Sequence, residues 1–554
     1  MKDIAHCLVH WSEKRPDRTA FQFASREGTI VAELTYGALA VKAAALARHL
    51  SVHGSGERAV LLFAPGLDFV VAMLACVFAG VIAVPMPLPR RPGHGDSADS
   101  IIENCTPRFV LTTRDLRDRL GTALARRPRW QACTWIAIDE EPVQSADPGS
   151  FAPSAGEIAL LQYTSGSTSA PKGVVVRHAN LMSNLAMLTH AFGTSEDSRL
   201  ACWVPHFHDM GLIGNVLHAL YLGATCILMA PLSFMQRPLA WLKVISEQRV
   251  DFAGCPNFGY DHCVSVFRSR PSQDLDLSCW RIAYNGAEPV RSATLEQFAA
   301  TFVPHGFDRR ALFPCYGMAE ASVIISGKTD RTGDVIESRI DGRPVVSCGA
   351  ALIDEEIAIV DPATRHERAP RQVGEIWVSG PHVAAGYWNN PEATAQSFGA
   401  EIVGRQGGWL RTGDLGFLDE QGELFVTGRL KDVIIIHGQN HYPQDIELSV
   451  QEAHPAFRHQ LGAAFSAPSG TTESALVVVQ EVNHRLRSQL PRAELEAAIR
   501  EAVLLDHGLA VHRAIVVPPG TVPRTTSGKV QRGRARDLWL AGALGAKAEA
   551  RNDG

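Results

Sequence analysis

Paired cysteines and charged blocks are both missing from this sequence. The eleven cysteines are scattered, their number is odd, and no two of them stand in a Cys-x-x-Cys pair. This pattern favours reduced thiols in the cytoplasm over a disulfide framework or a zinc site. The net charge of −5 is distributed without a long basic or acidic block, so neither nucleic acid nor an anionic membrane surface is indicated as a partner.

No apolar stretch has the form of a leader or a membrane span. The N-terminal residues MKDIAHCLVHWSEKRPDR reach charged side chains too soon to contain the apolar region of a signal peptide, and no export is expected. The apolar run from Phe69 to Val84 is short for a membrane span and is interrupted by Gly80. We interpret this run as a buried helix, a glycine stop and a buried strand.

The apolar content is 46% of 554 residues, which is typical of a globular protein with a large core and more than one domain. From about Glu57 to Ser322 short apolar runs alternate with helical patterns, as in parallel sheets covered by helices. After Val345 closely spaced strands and turns indicate a small β-barrel or sheet. A further unit begins near Lys431 and contains strands and one helix. We predict that this helix runs from Arg492 to Leu504.

These patterns predict an α/β protein in two parts. A large N-terminal body would contain two parallel-type βα subdomains and a small β-barrel, and a small mobile α+β lid would follow it. The predicted bounds are 1–429 for the body, about 345–429 for its β-rich subdomain, 430–540 for the lid and 541–554 for a flexible tail.

The stretch from Tyr163 to Gly173, YTSGSTSAPKG, combines hydroxyl side chains, two glycines and one lysine between two apolar runs. Free backbone N–H groups, hydroxyls and a cation suit an anion such as phosphate. The pattern is not that of a P-loop, because Lys172 follows Gly166 by six positions and the chain then returns to a strand pattern. We predict a loop that joins two strands. A kinase or P-loop ATPase is excluded, whereas a solvated linker remains the alternative for the loop taken alone.

Further motifs occur in a fixed order around this loop. They are NGAEPV (285–290), CYGMAEA (315–321), LRTGDLGFLD (410–419) with GRLKDVIIIHG (428–438), and PRTTSGKVQR (523–532). Together with the loop they resemble the adenylate-forming superfamily of acyl-CoA synthetases, peptide-synthetase adenylation domains and luciferases, over nearly the whole chain. The segments VPHFHDMGLIG, CPNFGYD, NGAEPV and IIIHGQNHYPQDIE resemble, within it, the fatty acyl-AMP ligases.

The resemblance implies a two-step reaction. A fatty acid, medium-chain or long-chain, would be activated by ATP with Mg²⁺ as acyl-AMP, with release of pyrophosphate. The acyl group would then pass to the phosphopantetheine thiol of an acyl carrier protein, for polyketide, nonribosomal peptide or lipid biosynthesis. We expect a cytoplasmic monomer. Two alternatives stay open: an acyl-CoA synthetase that uses coenzyme A, and a nucleotide-binding pseudoenzyme.

The resemblance also implies a set of nucleotide-binding residues. The phosphates would be held by Thr164, Ser165, Gly166, Ser167, Thr168 and Lys172. The nucleoside would be bordered by Asn285, Gly286, Ala287, Glu288, Tyr316, Gly317, Met318, Asp414 and Arg429. In this set Tyr316 would stack on adenine, and Asp414 would accept both ribose hydroxyls. Glu320 would be the Mg²⁺ carboxylate.

The remaining implied roles concern catalysis, motion and the acid. Lys529 would bridge the carboxylate and the α-phosphate, and Lys431 would be the hinge of the lid. His208 is taken as a catalytic residue that lines the gate of the acyl pocket, and His206 as a supporting or surface histidine. The pocket itself would be formed by His208, Met210, Gly211, Leu212, Ile213 and Gly214.

The chain departs from the family pattern at two places. Ala319 stands where the superfamily often has a threonine before the metal carboxylate. The hydroxyl group of that threonine is therefore absent here, as it also is in the fatty acyl-AMP ligases. The segment between Ala321 and Ser347 is shorter than the insertion that restrains the lid in those ligases and hinders use of coenzyme A. Rejection of coenzyme A can also arise where no cationic site receives its phosphates, so the carrier protein remains the expected acceptor.

Overall fold

The computed structural model describes residues 2–52, 55–89, 97–124, 127–140, 157–164, 171–271, 274–328, 330, 333–340, 342–436, 439–468, 474–483, 486, 489–525 and 528–544. The strands are β1 Thr19–Ala24, β2 Ile30–Thr35, β3 Arg58–Leu61, β4 Ile82–Pro85, β5 Phe109–Thr112, β6 Thr134–Ala137, β7 Ile158–Thr164, β8 Lys172–Arg177, β9 Arg199–Cys202, β10 Thr225–Met229, β11 Phe252–Gly254, β12 Ile282–Asn285, β13 Leu312–Tyr316, β14 Ser326–Gly327, β15 Glu337–Ile340, β16 Arg343–Val346, β17 Ala350–Ala351, β18 Glu356–Val360, β19 Gly374–Ser379, β20 Leu410–Leu418, β21 Leu424–Arg429, β22 Ile434–Ile436, β23 Gln439–His441, β24 Gly462–Pro468, β25 Ser474–Glu481 and β26 Val511–Val517.

The α-helices span Ile4–Lys14, Tyr36–Ser51, Asp68–Ala79, Ser97–Cys105, Arg114–Leu124, Pro128–Gln131, His178–Phe192, Asp209–Gly211, His218–Leu222, Pro231–Gln236, Leu239–Glu247, Asn257–Ser269, Ser292–Phe302, Pro391–Ser397, Pro443–Ala453, Arg492–His507 and Arg532–Leu540. Short 3₁₀ turns lie at Val303–His305, Arg309–Ala311, Ala319–Ala321 and Leu430–Asp432, and a π-helix lies at Leu212–Leu217. No helix in the described ranges is long and apolar enough to cross a membrane.

The chain divides into two compact units. Of the residues described, the first unit holds those in Met1–Thr164, Pro171–Thr412 and Gly416–Val426, and the second holds those in Gly413–Leu415 and Thr427–Gly554. The predicted domain bounds and the mobility of the C-terminal part stay predictions.

Two large sheets belong to the first unit. One has the strand order β17-β14-β13-β12-β11-β9-β10-β1-β2, and the other has the order β6-β5-β3-β4-β7-β8. Their central strands pair in parallel, whereas β2, β8, β14 and β17 pair antiparallel at or near the edges. The predicted parallel sheets are confirmed, and the cause is visible in the strands, since all five residues of β10 are buried.

The run from Phe69 to Val84 folds as predicted. The helix Asp68–Ala79 is buried from Phe69 onward, and it ends at Gly80, whose φ of +68° is left-handed. A residue without a Cβ atom takes this conformation at little cost, which explains the stop. The buried strand β4 follows directly.

The predicted strands after Val345 are also present. They form a four-stranded sheet in the order β18-β19-β20-β21, preceded by the separate hairpin of β15 and β16. Closure of this region into a barrel stays a prediction. The mixed α/β class of the whole chain is confirmed.

The second unit is built around the sheet β24-β25-β26, in which the first pair is antiparallel and the second is parallel. The helices Pro443–Ala453 and Arg492–His507 bury Ile446 and Ile499 against it. The predicted helix ends at His507 rather than Leu504 because Gly508, in a left-handed conformation, provides the C-cap. The helices Pro443–Ala453 and Arg532–Leu540 were not predicted. Of the predicted tail, residues 545–554 lie outside the described residues.

Candidate active site

Strands β7 and β8 frame the hydroxyl-rich loop. They pair antiparallel, with Thr164 opposite Lys172 and Tyr163 opposite Gly173. The predicted arrangement, a loop that joins two strands, is therefore confirmed at both of its ends. Residues 165–170 lie outside the described residues, and the phosphate contacts predicted there stay predictions for Ser165, Gly166, Ser167 and Thr168.

Lys172 lies beside a buried tyrosine that contacts Glu320. The ammonium nitrogen of Lys172 is 4.7 Å from the centre of the Tyr387 ring, a cation–π distance. The Tyr387 hydroxyl donates a hydrogen bond of 2.8 Å to Oε1 of Glu320. Burial, followed by the Glu320 charge, raises the pKa of Tyr387, so its phenol remains a donor at neutral pH. One ring thus joins the lysine of the loop to the carboxylate of CYGMAEA.

Backbone pairing holds Tyr387 in this place. The segment 384–388 lies antiparallel to β8 through the bridge between Val174 and Tyr387. At its first residue, the N–H of Ala384 donates to the carbonyl oxygen of Glu320 over 2.9 Å. The segment therefore connects the strand that carries Lys172 with the turn that carries Glu320.

Glu320 is the carboxylate predicted to hold Mg²⁺. It lies in the turn Ala319–Ala321 and is 8% exposed. Across the part of the chain that the structure describes, no group of three or more His, Cys, Asp or Glu side chains is placed to bind a metal. At nucleotide sites Mg²⁺ commonly takes one or two carboxylates and completes its shell with phosphate oxygens and water. A single hard oxygen donor at Glu320 fits that arrangement.

Two neighbouring parallel strands carry the residues predicted to border the nucleoside. Asn285 ends β12 opposite Pro314 of β13, and Tyr316 ends β13. Gly286 approaches β13 so closely that a Cβ atom there would lie 2.9 Å from the carbonyl oxygen of Cys315. The tight contact brings the turn after β12 against the end of β13.

The turn itself has an unusual backbone. Ala287 has a φ of +72°, a left-handed value that a residue with a Cβ rarely adopts. Next to it, Glu288 accepts a hydrogen bond of 3.4 Å from the N–H of Phe258, near the start of the helix Asn257–Ser269. Tyr316 is 9% exposed and packs in an apolar cluster that Met318 borders. The contacts of these residues with adenine stay predictions.

Gly317 has no room for a side chain. A Cβ atom there would lie 1.8 Å from the carbonyl oxygen of Val323, which is a backbone atom and cannot rotate away. We expect Gly317→Ala to lower the free energy of unfolding by about 3 kcal/mol, the upper range for overpacking. Chemical denaturation of the purified protein would measure it.

Gly214→Ala is the matched control for that substitution. A Cβ atom at Gly214 would meet only Cγ2 of Val323, at 4.0 Å, an ordinary contact. Equal denaturation midpoints for Gly317→Ala and Gly214→Ala would show that the Gly317 backbone can move out of the clash.

The two histidines of PHFHDMG occupy different environments. His208 caps the short helix Asp209–Gly211, and its Nδ1 lies 2.6 Å from a carboxylate oxygen of Asp209. The same Nδ1 accepts the N–H of Met210 over 3.3 Å, which is the capping contact. His206 is buried, with the Phe69 ring 4.2 Å away. Burial lowers the pKa of His206 to about 4, so the surface interpretation of this histidine is wrong.

The predicted acyl-pocket residues lie on a distorted helix. Gly211 is required by packing, because a Cβ there would lie 2.3 Å from the carbonyl oxygen of Pro205. The following turns, Leu212–Leu217, form a π-helix, a distortion that is frequent at functional sites. Asn215 supports the π-helix, because its side-chain amide donates a hydrogen bond of 2.8 Å to the carbonyl oxygen of Met210. The five residues from Met210 to Gly214 are buried, and their role as a pocket stays a prediction.

Among the described residues, four predicted site residues belong to the second unit: Asp414, Arg429, Lys431 and Lys529. Nε of Arg429 lies 3.1 Å from Oδ1 of Asp414, and this ion pair orients the Asp414 carboxylate, which is 7% exposed. Lys431 is the middle residue of the 3₁₀ turn Leu430–Asp432. Lys529 donates its backbone N–H to Oγ1 of Thr525 over 3.0 Å.

Sequence reasoning missed Tyr387 and gave Arg532 no role. Tyr387 lies in the uncharged stretch AAGYWNN, and its partner Glu320 is 67 positions away. No local pattern could have indicated that contact. For Arg532 the available signal was its position three residues after Lys529, in GKVQR.

Comparison with known proteins places the chain in a family. The profile of the AMP-binding enzyme family matches residues 8–388, and that of the Disco-interacting protein 2-like AMP domain matches residues 431–549. The chain is 40% identical to the medium-chain fatty-acid (acyl-carrier-protein) ligase JamA of Moorena producens, over 97% of this chain and 95% of that protein. It is 35% identical to the long-chain-fatty-acid–AMP ligase FadD32 of Mycolicibacterium smegmatis, over 98% and 94%.

A solved structure is similar over the same extent. The fatty acyl-adenylate ligase from L. pneumophila, in complex with acyl adenylate and pyrophosphate, is 37% identical, with a TM-score of 0.74 over 98% of this chain and 96% of that one. These comparisons confirm the predicted resemblance to the fatty acyl-AMP ligases. The chain belongs to the AMP-binding enzyme family.

Proposed function

We propose that this enzyme activates a medium-chain or long-chain fatty acid as acyl-AMP and transfers the acyl group to an acyl carrier protein. The observation that carries the proposal is the contact of Tyr387 with both Lys172 and Glu320. It brings the cation of the hydroxyl-rich loop and the carboxylate of CYGMAEA to one ring, as a site for phosphates and Mg²⁺ requires. The names of the relatives from M. producens and M. smegmatis support the choice of a fatty acid.

The first half-reaction is attack of a carboxylate on the α-phosphate of ATP, with pyrophosphate as the leaving group. Lys172 neutralises charge on the phosphates, and Glu320, oriented by Tyr387, would hold Mg²⁺. When bound there, the metal would supply positive charge that offsets the negative charge of the phosphates. Lys529 donates to the α-phosphate and the attacking carboxylate, where negative charge grows in the transition state. The Asp414 carboxylate accepts hydrogen bonds from the ribose hydroxyls.

The acid would enter beside His208 and the π-helix. The His208 ring is held in place there, because its Nδ1 lies 2.6 Å from Asp209 and 3.3 Å from the backbone nitrogen of Met210. Gly214 leaves space on its own side of the helix, since a Cβ there would have a single neighbour, Cγ2 of Val323, at 4.0 Å. We propose that the alkyl chain of the acid passes on this side of the helix.

Transfer to a carrier protein rather than coenzyme A is the finer part of the proposal. The JamA relative is named for an acyl-carrier-protein acceptor. The segment between Ala321 and Ser347, which is shorter than the insertion of the fatty acyl-AMP ligases, contains the hairpin of β15 and β16. Glu337, the first residue of β15, accepts a hydrogen bond from the hydroxyl of Ser292. We also propose, following the sequence, that the enzyme is a cytoplasmic monomer serving polyketide, nonribosomal peptide or lipid biosynthesis.

The test uses the purified enzyme with ATP, Mg²⁺ and a panel of fatty acids. Medium- or long-chain acids are expected to support ATP–pyrophosphate exchange and acyl-AMP formation, whereas no exchange with any acid would refute the proposed activation step. Coenzyme A and a phosphopantetheinylated carrier protein are then offered separately. Thioester formation is expected on the carrier protein, and comparable turnover to acyl-CoA would identify an acyl-CoA synthetase instead.

A further inference from the structure

Lys529 lies in a small hairpin that the structure defines on both sides. The upstream and downstream arms meet at a bridge between Arg524 and Val530, and the N–H of Gln531 donates to Pro523 O over 2.9 Å. Residues 526 and 527 lie outside the described residues. The N–H of Thr525 donates to Lys529 O over 2.8 Å, in addition to the bond from the Lys529 N–H to Oγ1 of Thr525. The backbone position of Lys529 is therefore fixed by hydrogen bonds within the hairpin.

The downstream arm ends in a largely buried guanidinium with two carboxylate partners. Arg532 donates from Nε and Nη2 to the two oxygens of Glu447, each over 2.7 Å, and from Nη1 to Asp432 over 3.1 Å. The side chains of Arg532, Glu447 and Asp432 are 18%, 8% and 14% exposed. Burial opposes the charge of Arg532, but the two carboxylates outweigh it and raise its pKa. Arg532 therefore keeps its positive charge at a place where solvent screens its ion pairs only weakly.

The two carboxylates belong to different elements of the second unit. Glu447 lies in the helix Pro443–Ala453 and also accepts the N–H of Ala464 over 2.9 Å, so it is fixed to β24. Asp432 ends the 3₁₀ turn whose middle residue is Lys431. A planar guanidinium has donors on several edges and can serve both partners at once, which an ammonium cannot do with the same geometry.

We propose that Arg532 is a positioning residue that ties the hairpin of Lys529 to the turn of Lys431. The tie makes the two segments one rigid piece, so that any movement at the turn carries the Lys529 hairpin with it. Arg532 touches no substrate in this scheme and acts only through the placement of Lys529. The inference rests on the proposed adenylation role of Lys529.

The consequence is selective for one half-reaction. Lys529 is needed for formation of the acyl-adenylate and not for attack of a thiol on it. We expect Arg532→Lys, which keeps the charge but loses the planar fork, to lower kcat for adenylation by about 10- to 100-fold, the range for a misplaced catalytic group. KM for ATP and thioester formation from preformed acyl-adenylate should stay within about threefold of the wild type, because a positioning residue for Lys529 affects only the adenylation step.

A double-mutant cycle separates positioning from a structural role. Because Arg532 is proposed to act through Lys529, adding Arg532→Lys to Lys529→Ala should change the remaining adenylation rate by less than about twofold. Arg534→Lys is the matched control, since Arg534 lies two residues further on, is exposed, and should leave both half-reactions unchanged. An additive loss, or an equal loss of adenylation and transfer in Arg532→Lys, would overturn the inference.

A second variant covers the case in which Arg532→Lys does not fold. Asp432→Asn removes only the charge that receives the third bond and leaves the paired bonds of Arg532 with Glu447 in place. Adenylation should fall several-fold in Asp432→Asn, with faster hydrogen exchange in both 430–432 and 522–531 and unchanged exchange in β25. Unchanged adenylation and exchange would refute the tie. An inactive wild-type enzyme would instead count against the proposed function.

Discussion

Lys529→Ala is expected to lower the rate of acyl-adenylate formation by about 100- to 1,000-fold, the usual loss for one preorganised group that stabilises transition-state charge. The free energy of unfolding should change by less than about 1 kcal/mol, because the residue lies in a polar hairpin and not in a core. ATP–pyrophosphate exchange measures the first quantity, and chemical denaturation measures the second.

The same variant has an internal control. Thioester formation from preformed acyl-adenylate should be retained, since this step needs no bridge between a carboxylate and the α-phosphate. Arg534→Ala, an exposed cation on the following helix, should behave as the wild type in both steps. Exchange retained within a few-fold in Lys529→Ala would mean that the assigned role is wrong.

Lys431→Pro is expected to separate the two half-reactions. Proline holds φ near −65°, which matches the range of a 3₁₀ turn such as Leu430–Asp432. Proline also removes the backbone N–H of this residue, and a change of φ at the hinge is blocked. We expect one half-reaction to survive and the other to fall by about 100-fold, as for misplaced reacting groups.

Lys431→Ala is the control, because it removes the same side chain and leaves φ free. It should support both half-reactions at rates near those of the wild type. Each step is measured alone, the first by pyrophosphate exchange and the second from supplied acyl-adenylate. Equal loss of both steps in Lys431→Pro, with a lower denaturation midpoint, would indicate misfolding and would count against the hinge.

Local patterns in the sequence were enough for much of the fold. The helix, the stop at Gly80 and the strand within the run from Phe69 to Val84 were all predicted, because an apolar run and a glycine C-cap act over a few residues. The loop between β7 and β8 was predicted because its small polar residues lie between two apolar runs, which is again a local pattern. The helix Pro443–Ala453 was missed, since its sequence PQDIELSVQEA has few apolar residues and owes its burial to the rest of the second unit.

For the site, the motifs identified residue types and their order along the chain. The order of the hydroxyl-rich loop, CYGMAEA and the C-terminal lysine was sufficient to indicate an adenylate-forming enzyme, which the comparisons confirm. The assignment was possible because each motif carries its chemistry within a few consecutive residues. The individual residue roles stay predictions.

Only the tertiary structure decided which groups meet. Tyr387 donates to Glu320 across 67 positions, and Arg532 donates to Glu447 and Asp432 across 85 and 100 positions. Such contacts depend on strand register and helix packing, which are set by many weak interactions distributed over the chain. By itself the sequence determined the α/β class, the hydroxyl-rich loop and the reaction type, because these depend on local periodicity and contiguous motifs. The placement of Glu320 by Tyr387, and of the Lys529 hairpin by Arg532, arises from folding that brings distant segments together.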